Sequence, residues 1–205
     1  MSTIITRLFD TYEHASMAVT ELEQNGIPHA DISLVANNTD DRHSSVVPSS
    51  DTENSAANGA GTGATLGTVL GGGAGLLAGL GMLAIPGVGP VVAAGWLIAT
   101  AVGAGVGAAS GGLLGSLVGA GVSETDAHVY AEGVRRGGTL VTVKVMEGQS
   151  ASVERILDKH SPVDTAARGD TYRAEGWSRF DEDAPAYRAG GAADLGTPTR
   201  NTPII

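Results

Sequence analysis

The sequence predicts an α+β protein: a split ferredoxin-like βαβ…αβα domain, interrupted by a long glycine-zipper helical hairpin and followed by a disordered C-terminal tail. Three observations carry that prediction. Short β-branched runs alternate with amphipathic helical patterns at both ends of the domain. No Asp, Glu, Lys or Arg occurs between Glu53 and Glu124, and that window is dense in glycine. The residues after 163 are rich in Gly, Pro, Ala and scattered charge. The discontinuous domain therefore comprises 1–58 and 123–163, with 37–58 as a flexible linker; the hairpin occupies 59–122 and the tail 164–205.

The first run, Thr3 to Phe9 (TIITRLF), has the side chains of a strand, and Asp10 with Glu13 three positions later has the spacing of a helix capping box. Ala15, Ala18, Val19 and Leu22 then form one apolar helical stripe, stopped by Asn25-Gly26 and Pro28. A second strand follows at Asp31 to Ala36. The next segment is polar and turn-rich, and only Val46-Val47 in it has the makings of a short edge strand, the one candidate for a third strand. Beyond the apolar window, Ser123 and Asp126 repeat the capping pattern before a helix buried on Ala127, Tyr130, Ala131 and Val134. Arg135-Arg136 suit its C-terminus. Gly137-Gly138 turn the chain into Thr139 to Met146, expected as a half-buried strand with Val141, Val143 and Val145 inward and Thr142 and Lys144 outward. A last helix over Ser150 to His160 rests on Val153, Ile156 and Leu157 and ends before Pro162.

Within the charge-free window glycine recurs every fourth residue at Gly63, Gly67, Gly71, Gly75 and Gly79. A second ladder runs through Gly95, Ala99, Gly103, Gly107, Gly111, Gly115 and Gly119. Pro86, Gly87, Gly89 and Pro90 separate the two as a turn that no helix crosses. Four-residue spacing puts small residues on one helix ridge, where two backbones approach closely. Each interior glycine costs a helix roughly 1 kcal/mol relative to alanine, so lipid or packed protein must compensate. A helix from Gly63 to Ile85 would be roughly 34 Å long at about 1.5 Å per residue, enough to cross a bilayer core. Its few leucines favour insertion by only about 0.3 to 0.6 kcal/mol each, so a spanning hairpin and a packed or oligomeric one both fit. Trp96, the sole aromatic of the insert, suits either the far interface of a spanning hairpin or a packing role.

Composition narrows the function. Twelve Lys+Arg against twenty-two Asp+Glu give a net charge of −10, which argues against nucleic acid and against electrostatic attachment to anionic lipid. There is no cysteine, so disulfides, thiolate catalysis and cysteine-bound metals drop out, in keeping with a reducing compartment. Arg7, Asp10 and Glu13 interrupt any signal-peptide run at the N-terminus, so the domain is expected in the cytoplasm, with both termini on the cytoplasmic side if the hairpin enters the inner membrane.

The segment AGLLAGLGMLAIPGVGPVVAAGWL, the continuation through VRRGGTLVTVKV and the opening strand-helix-strand resemble the bacterial general stress protein family typified by YflT. The IPGVGP turn and VRRGGTLVTV are the most specific parts, and the likeness covers 4–163. It implies stress induction, an α/β domain interrupted by a glycine-zipper hairpin, and no assigned catalytic activity. The His160-Ser161-Pro162-Val163 end departs from the glycine-containing turn that the likeness implies.

No catalytic or cofactor-binding constellation stands out. His14, His29, His43, His128 and His160 are scattered without an i, i+4 pair, so no metal site is expected. No GxxxxGK[ST] loop and no GxSxG elbow occurs. In the tail, Trp177, Phe180 and Tyr187 lie among acidic residues, as a docking motif for an unknown protein partner or as a tail packed on its own domain. The expectation is a non-enzymatic stress protein whose hairpin associates with membrane lipid or drives homo-oligomerisation. A soluble assembly protein and a small-ligand sensor using the sheet are the alternatives.

Overall fold

The computed structural model describes residues 2–39, 81–85, 87–97, 112–146, 148–184 and 187. Its elements are β1 (Ser2–Phe9), α1 (Tyr12–Gln24), a 3-10 turn (His29–Asp31), β2 (Ile32–Asn37), β3 (Gly81–Ile85), β4 (Gly89–Gly95), α2 (Gly112–Gly119), α3 (Glu124–Arg135), β5 (Thr139–Met146), α4 (Ser150–Lys159) and α5 (Thr165–Ala174). The fold is α+β: one five-stranded antiparallel sheet in the order β1-β5-β2-β4-β3, with helices against both faces.

Local chemistry accounts for the elements at both ends. Thr11, one residue later than expected, caps α1 by accepting the His14 N–H, and the stripe Ala15, Ala18, Val19 and Leu22 is buried. Ser123 caps α3 through the Asp126 N–H, as its spacing predicts. Its stripe packs so closely on β1 that a Cβ on Gly133 would lie 2.4 Å from Leu8 Cδ2. Gly137 turns the chain into β5 at φ 107°.

β5 departs from the half-buried expectation. It lies between β1 and β2, and everything from Thr139 to Val143 is buried, because α1 and α4 cover one face while α3 covers the other. Thr142 Oγ1, expected outward, instead meets Thr6 Oγ1 at 3.3 Å in the interior.

The third strand comes from the apolar insert. β4 pairs with β2 and β3 with β4, both antiparallel; Val46-Val47 lie outside the described residues. Two split β-α-β units thus interleave: β1-α1-β2 with β5 between its parallel strands, and β4-α2-α3-β5 with β2 between its own. A half-turn about the sheet normal superposes one unit's strand directions and offset on the other's without changing face. With α1 on one face and α3 on the other, the two crossovers have opposite hands, and one is the uncommon left-handed kind.

Two cores result. Ile5, Phe9, Leu34, Val143, the α1 stripe and α4 form the first. Leu8, Val35, Val91, Leu113, Leu117, the α3 stripe and Phe180 form the second. The second joins the insert, the domain and the tail.

Candidate functional site

The insert's turn lies where the sequence puts it, but between strands rather than helices. Val88 N–H bonds to the Ile85 carbonyl at 3.1 Å, with Gly87 and Gly89 at φ 70° and 98°. Pro86 lies outside the described residues; Pro90 is in β4, and its carbonyl accepts the Asn38 N–H at 2.8 Å. Val91 to Ala94 are buried on both sheet faces, which a helix presenting a single stripe would not achieve. Asn37 and Asn38, expected to begin the linker, are buried in the fold. Asn37 Nδ2 donates to the Arg135 carbonyl at 3.2 Å, tying the end of α3 to the strand beside the turn.

Of the zipper residues, Gly63, Gly67, Gly71, Gly75, Gly79, Gly103, Gly107 and Gly111 lie outside the described residues. Gly95 does not pack a helix. It ends β4 at φ 99°, and a Cβ there would lie 2.2 Å from the Ile32 carbonyl, so its glycine is required by the β2–β4 approach. On α2, the buried residues are Leu113 and Leu117, while Gly119 has nothing within 4 Å of where its Cβ would be. Burying a leucine contributes roughly 1.5–3 kcal/mol, which a glycine contact with open space does not. Trp96 sits beside the 3-10 turn, its Nε1–H donating to the Asp31 carbonyl at 3.3 Å.

The tail, expected to be disordered from 164, forms α5 and then a strap over the insert. Asp164 caps α5 through the Ala167 N–H. Val163 N–H bonds to the Leu8 carbonyl at 2.7 Å, and Thr165 Oγ1 donates to the Tyr130 hydroxyl, which donates to the Thr6 carbonyl. Trp177 meets Tyr172 edge-on at 5.7 Å. Phe180 is buried in the second core, and its N–H donates to His128 Nδ1 at 3.2 Å. The strap then crosses the β3–β4 turn so closely that a Cβ on Gly87 would lie 2.6 Å from the Asp181 carbonyl oxygen and from Glu182 Cα. Glu182 Oε1 lies 3.2 Å from the Cβ position of Gly112, at the N-terminal end of α2, where an anion is favoured.

An arginine clamp holds the tail's other end. Glu132 is buried, and its carboxylate accepts from Arg135 Nη1 at 3.0 Å and Arg136 Nε at 2.7 Å. Arg136 also pairs with Glu175 and stacks over Tyr172 at 4.1 Å and Tyr187 at 5.2 Å, while Arg135 lies 5.7 Å from the Tyr187 ring centre. Burial lowers the Arg136 pKa, but hydrogen bonds and charge from Glu132 and Glu175 outweigh it and hold the value above that of ordinary arginine. Burial pushes Tyr172 up, against the opposing pull of Arg168 and Arg136. The VRRGG segment is thus a tail-docking structure: two arginines neutralise one buried carboxylate and present their faces to aromatic rings.

One shallow groove of about 500 Å³ lies elsewhere, between α1 and α4, lined by Ser16, Met17, Thr20, Glu21, Lys159 and His160 among others. Most of its polar groups bond to each other or to the backbone. Glu21 takes Lys159 Nζ and His160 Nε2, each at 2.8 Å, and Ser16 and Thr20 donate to helix carbonyls.

Trp177, Phe180 and Tyr187 converge on the domain itself, together with Asn37 and Glu132, which carry no site signal of their own in the sequence, with His128 from among the scattered histidines and with Glu182 from the acidic tail. The one legible signal among these was relational, a Glu three and four residues before two arginines. Comparison with known proteins gives no matching family model, no matching curated protein and no matching solved structure.

Proposed function

We propose that this chain is a non-enzymatic, stress-associated protein of the YflT-like general stress type, whose glycine-rich insert mediates self-assembly. The observation that carries the reading is the insert's division of labour. Its described part completes the sheet and ends in an apolar edge strand with Met82 54% exposed, while the whole window from 54 to 123 is free of Asp, Glu, Lys and Arg. A surface without charge repels neither lipid nor a second copy of itself. The split β1-α1-β2 unit supports the ferredoxin-like part of the reading, and the glycine ladders at 63–79 and 103–111 are its helix-packing part. Membrane association on the cytoplasmic side is the second reading, favoured by the same charge-free window. Among the described residues no helix is long and apolar enough to cross a membrane. A ligand-sensing role on the sheet has weaker support, because helices cover both of its faces.

Fractionation of the untagged protein with a carbonate wash, followed by light scattering, separates these readings. A soluble multimer supports assembly, and retention in the washed membrane pellet supports the anchor. A soluble monomer would sink both. Gly71→Leu with Gly107→Leu tests the ladders: unchanged assembly and unchanged membrane partition remove them from the mechanism.

A further inference from the structure

The two edges of the sheet are treated differently. At β1 the outward carbonyls of the C-terminal half are occupied: Thr6 O accepts Arg7 Nη1 at 3.1 Å and the Tyr130 hydroxyl at 3.2 Å, and Leu8 O accepts Val163 N–H at 2.7 Å. Charge and a covering segment are usual means of blunting an edge. At β3 none of these is present among the described residues. The strand is GMLAI, without charge, proline or bulge.

Its outward groups follow from the ladder. Pro90 O faces β2, where it accepts the Asn38 N–H, so Pro90, Val92 and Ala94 point to β2 while Val91 and Ala93 point to β3. Their partners Leu83 and Gly81 therefore spend their backbone groups on β4. Met82 and Ala84 direct N–H and C=O away from β4, where no partner lies among the described residues, and both side chains are exposed.

We propose that β3 pairs antiparallel with β3 of a second copy about a two-fold axis at Leu83, making one ten-stranded sheet from two five-stranded ones. This deepens the self-assembly reading and rests on it, but places the contact at the sheet edge rather than on the glycine ladders. The register is self-complementary: Met82 of each copy lies opposite Ala84 of the other, and the two pairs exchange four backbone hydrogen bonds, satisfying every outward group of those two residues. Met82 covers the exposed Ala84 opposite it. Leu83 faces Leu83 of the second copy as a non-hydrogen-bonded pair, the closer kind. At the other edge of the sheet the bonds to Thr6 O and Leu8 O block the C-terminal half of β1 against a competing register. A five-residue contact buries little area, so the dimer is concentration-dependent.

Because the chain contains no cysteine, single cysteines test the register directly. Under oxidation Leu83→Cys gives a covalent dimer, since partners across a non-hydrogen-bonded pair fall within disulfide reach, whereas Gly81→Cys, placed opposite Ile85, does not. In sedimentation velocity of the full chain, Ala84→Pro removes two of the four bonds without touching the β4 ladder and weakens dimerisation at least about tenfold. Met82→Lys does the same by charge, and circular dichroism checks that each variant is folded. Wild-type protein that stays monomeric at all concentrations, or a dimer indifferent to both variants, overturns the proposal. If Gly71→Leu with Gly107→Leu dissolves the assembly while Ala84→Pro does not, the ladder reading stands and the edge pairing fails.

Discussion

Glu132 is the residue on which the C-terminal architecture turns. Its carboxylate is 1% exposed and is bonded by two guanidiniums that also hold Glu175 and two tyrosine rings. Removing one member of a buried pair costs about 3–5 kcal/mol, because the remaining charge is left without its partner. Glu132→Leu is therefore expected to lower urea stability by at most that order, because Arg136 keeps Glu175, and to release the tail, seen as faster amide exchange from Thr165 to Phe180. A variant with wild-type exchange there would show that the tail docks without the clamp. Ser161 makes a related point. It stands at φ 57° after α4, a left-handed position that favours glycine, so Ser161→Gly is compatible with the turn.

Among the elements, the strap 177–184 is the one that joins three parts of the chain. Phe180 fills the second core beneath the β3–β4 turn, and its N–H ends on His128. Truncating a buried phenylalanine costs about 3–5 kcal/mol. Phe180→Ala should therefore reduce global stability by that order and, more tellingly, deprotect β4 amides ahead of those of β5. Equal loss in both strands would mean that the strap supports the whole fold rather than the insert. Both helices with a capping signal and an apolar stripe, α1 and α3, were legible in the sequence within a residue, because cap and stripe are local. β3 and β4 were not. The first glycine ladder stops at Gly79 before β3 and the second begins at Gly95, which closes β4, and the short apolar runs between them have no period that separates a strand from a buried helix. What decided between them was the open edge of β2, a feature of the assembled sheet.

For the molecule as a whole, titration defines a window of stability. Hydrogen bonds from Lys159 and His160 hold the Glu21 carboxylate below its usual 4.5, so its contribution is complete above that pH and is lost as pH falls through the lowered value. Burial raises Tyr172, Tyr130 and Tyr12 above 10, so their contribution is complete below 10 and is lost as pH rises past it. Melting temperature should be flat between these limits and fall on both sides. Glu21→Gln should shallow the acid limb and Tyr172→Phe the alkaline one; limbs that keep their slopes would assign the losses to other groups.

The sequence alone determined the α+β class, the strand-helix-strand opening, the capped α3 leading into β5, the turn at Gly87–Pro90 and the absence of charge from the insert, all properties of neighbours along the chain. Tertiary structure decided that the insert supplies two strands, that Gly95 serves a strand contact, that α2 buries leucines, and that the tail straps the insert down. Most of those depend on a partner more than thirty residues away, such as β2 for β4, Ile32 for Gly95 or His128 for Phe180. No local pattern encodes a partner at that distance; the burial of apolar area and the pairing of backbone groups select it only when the whole chain has folded.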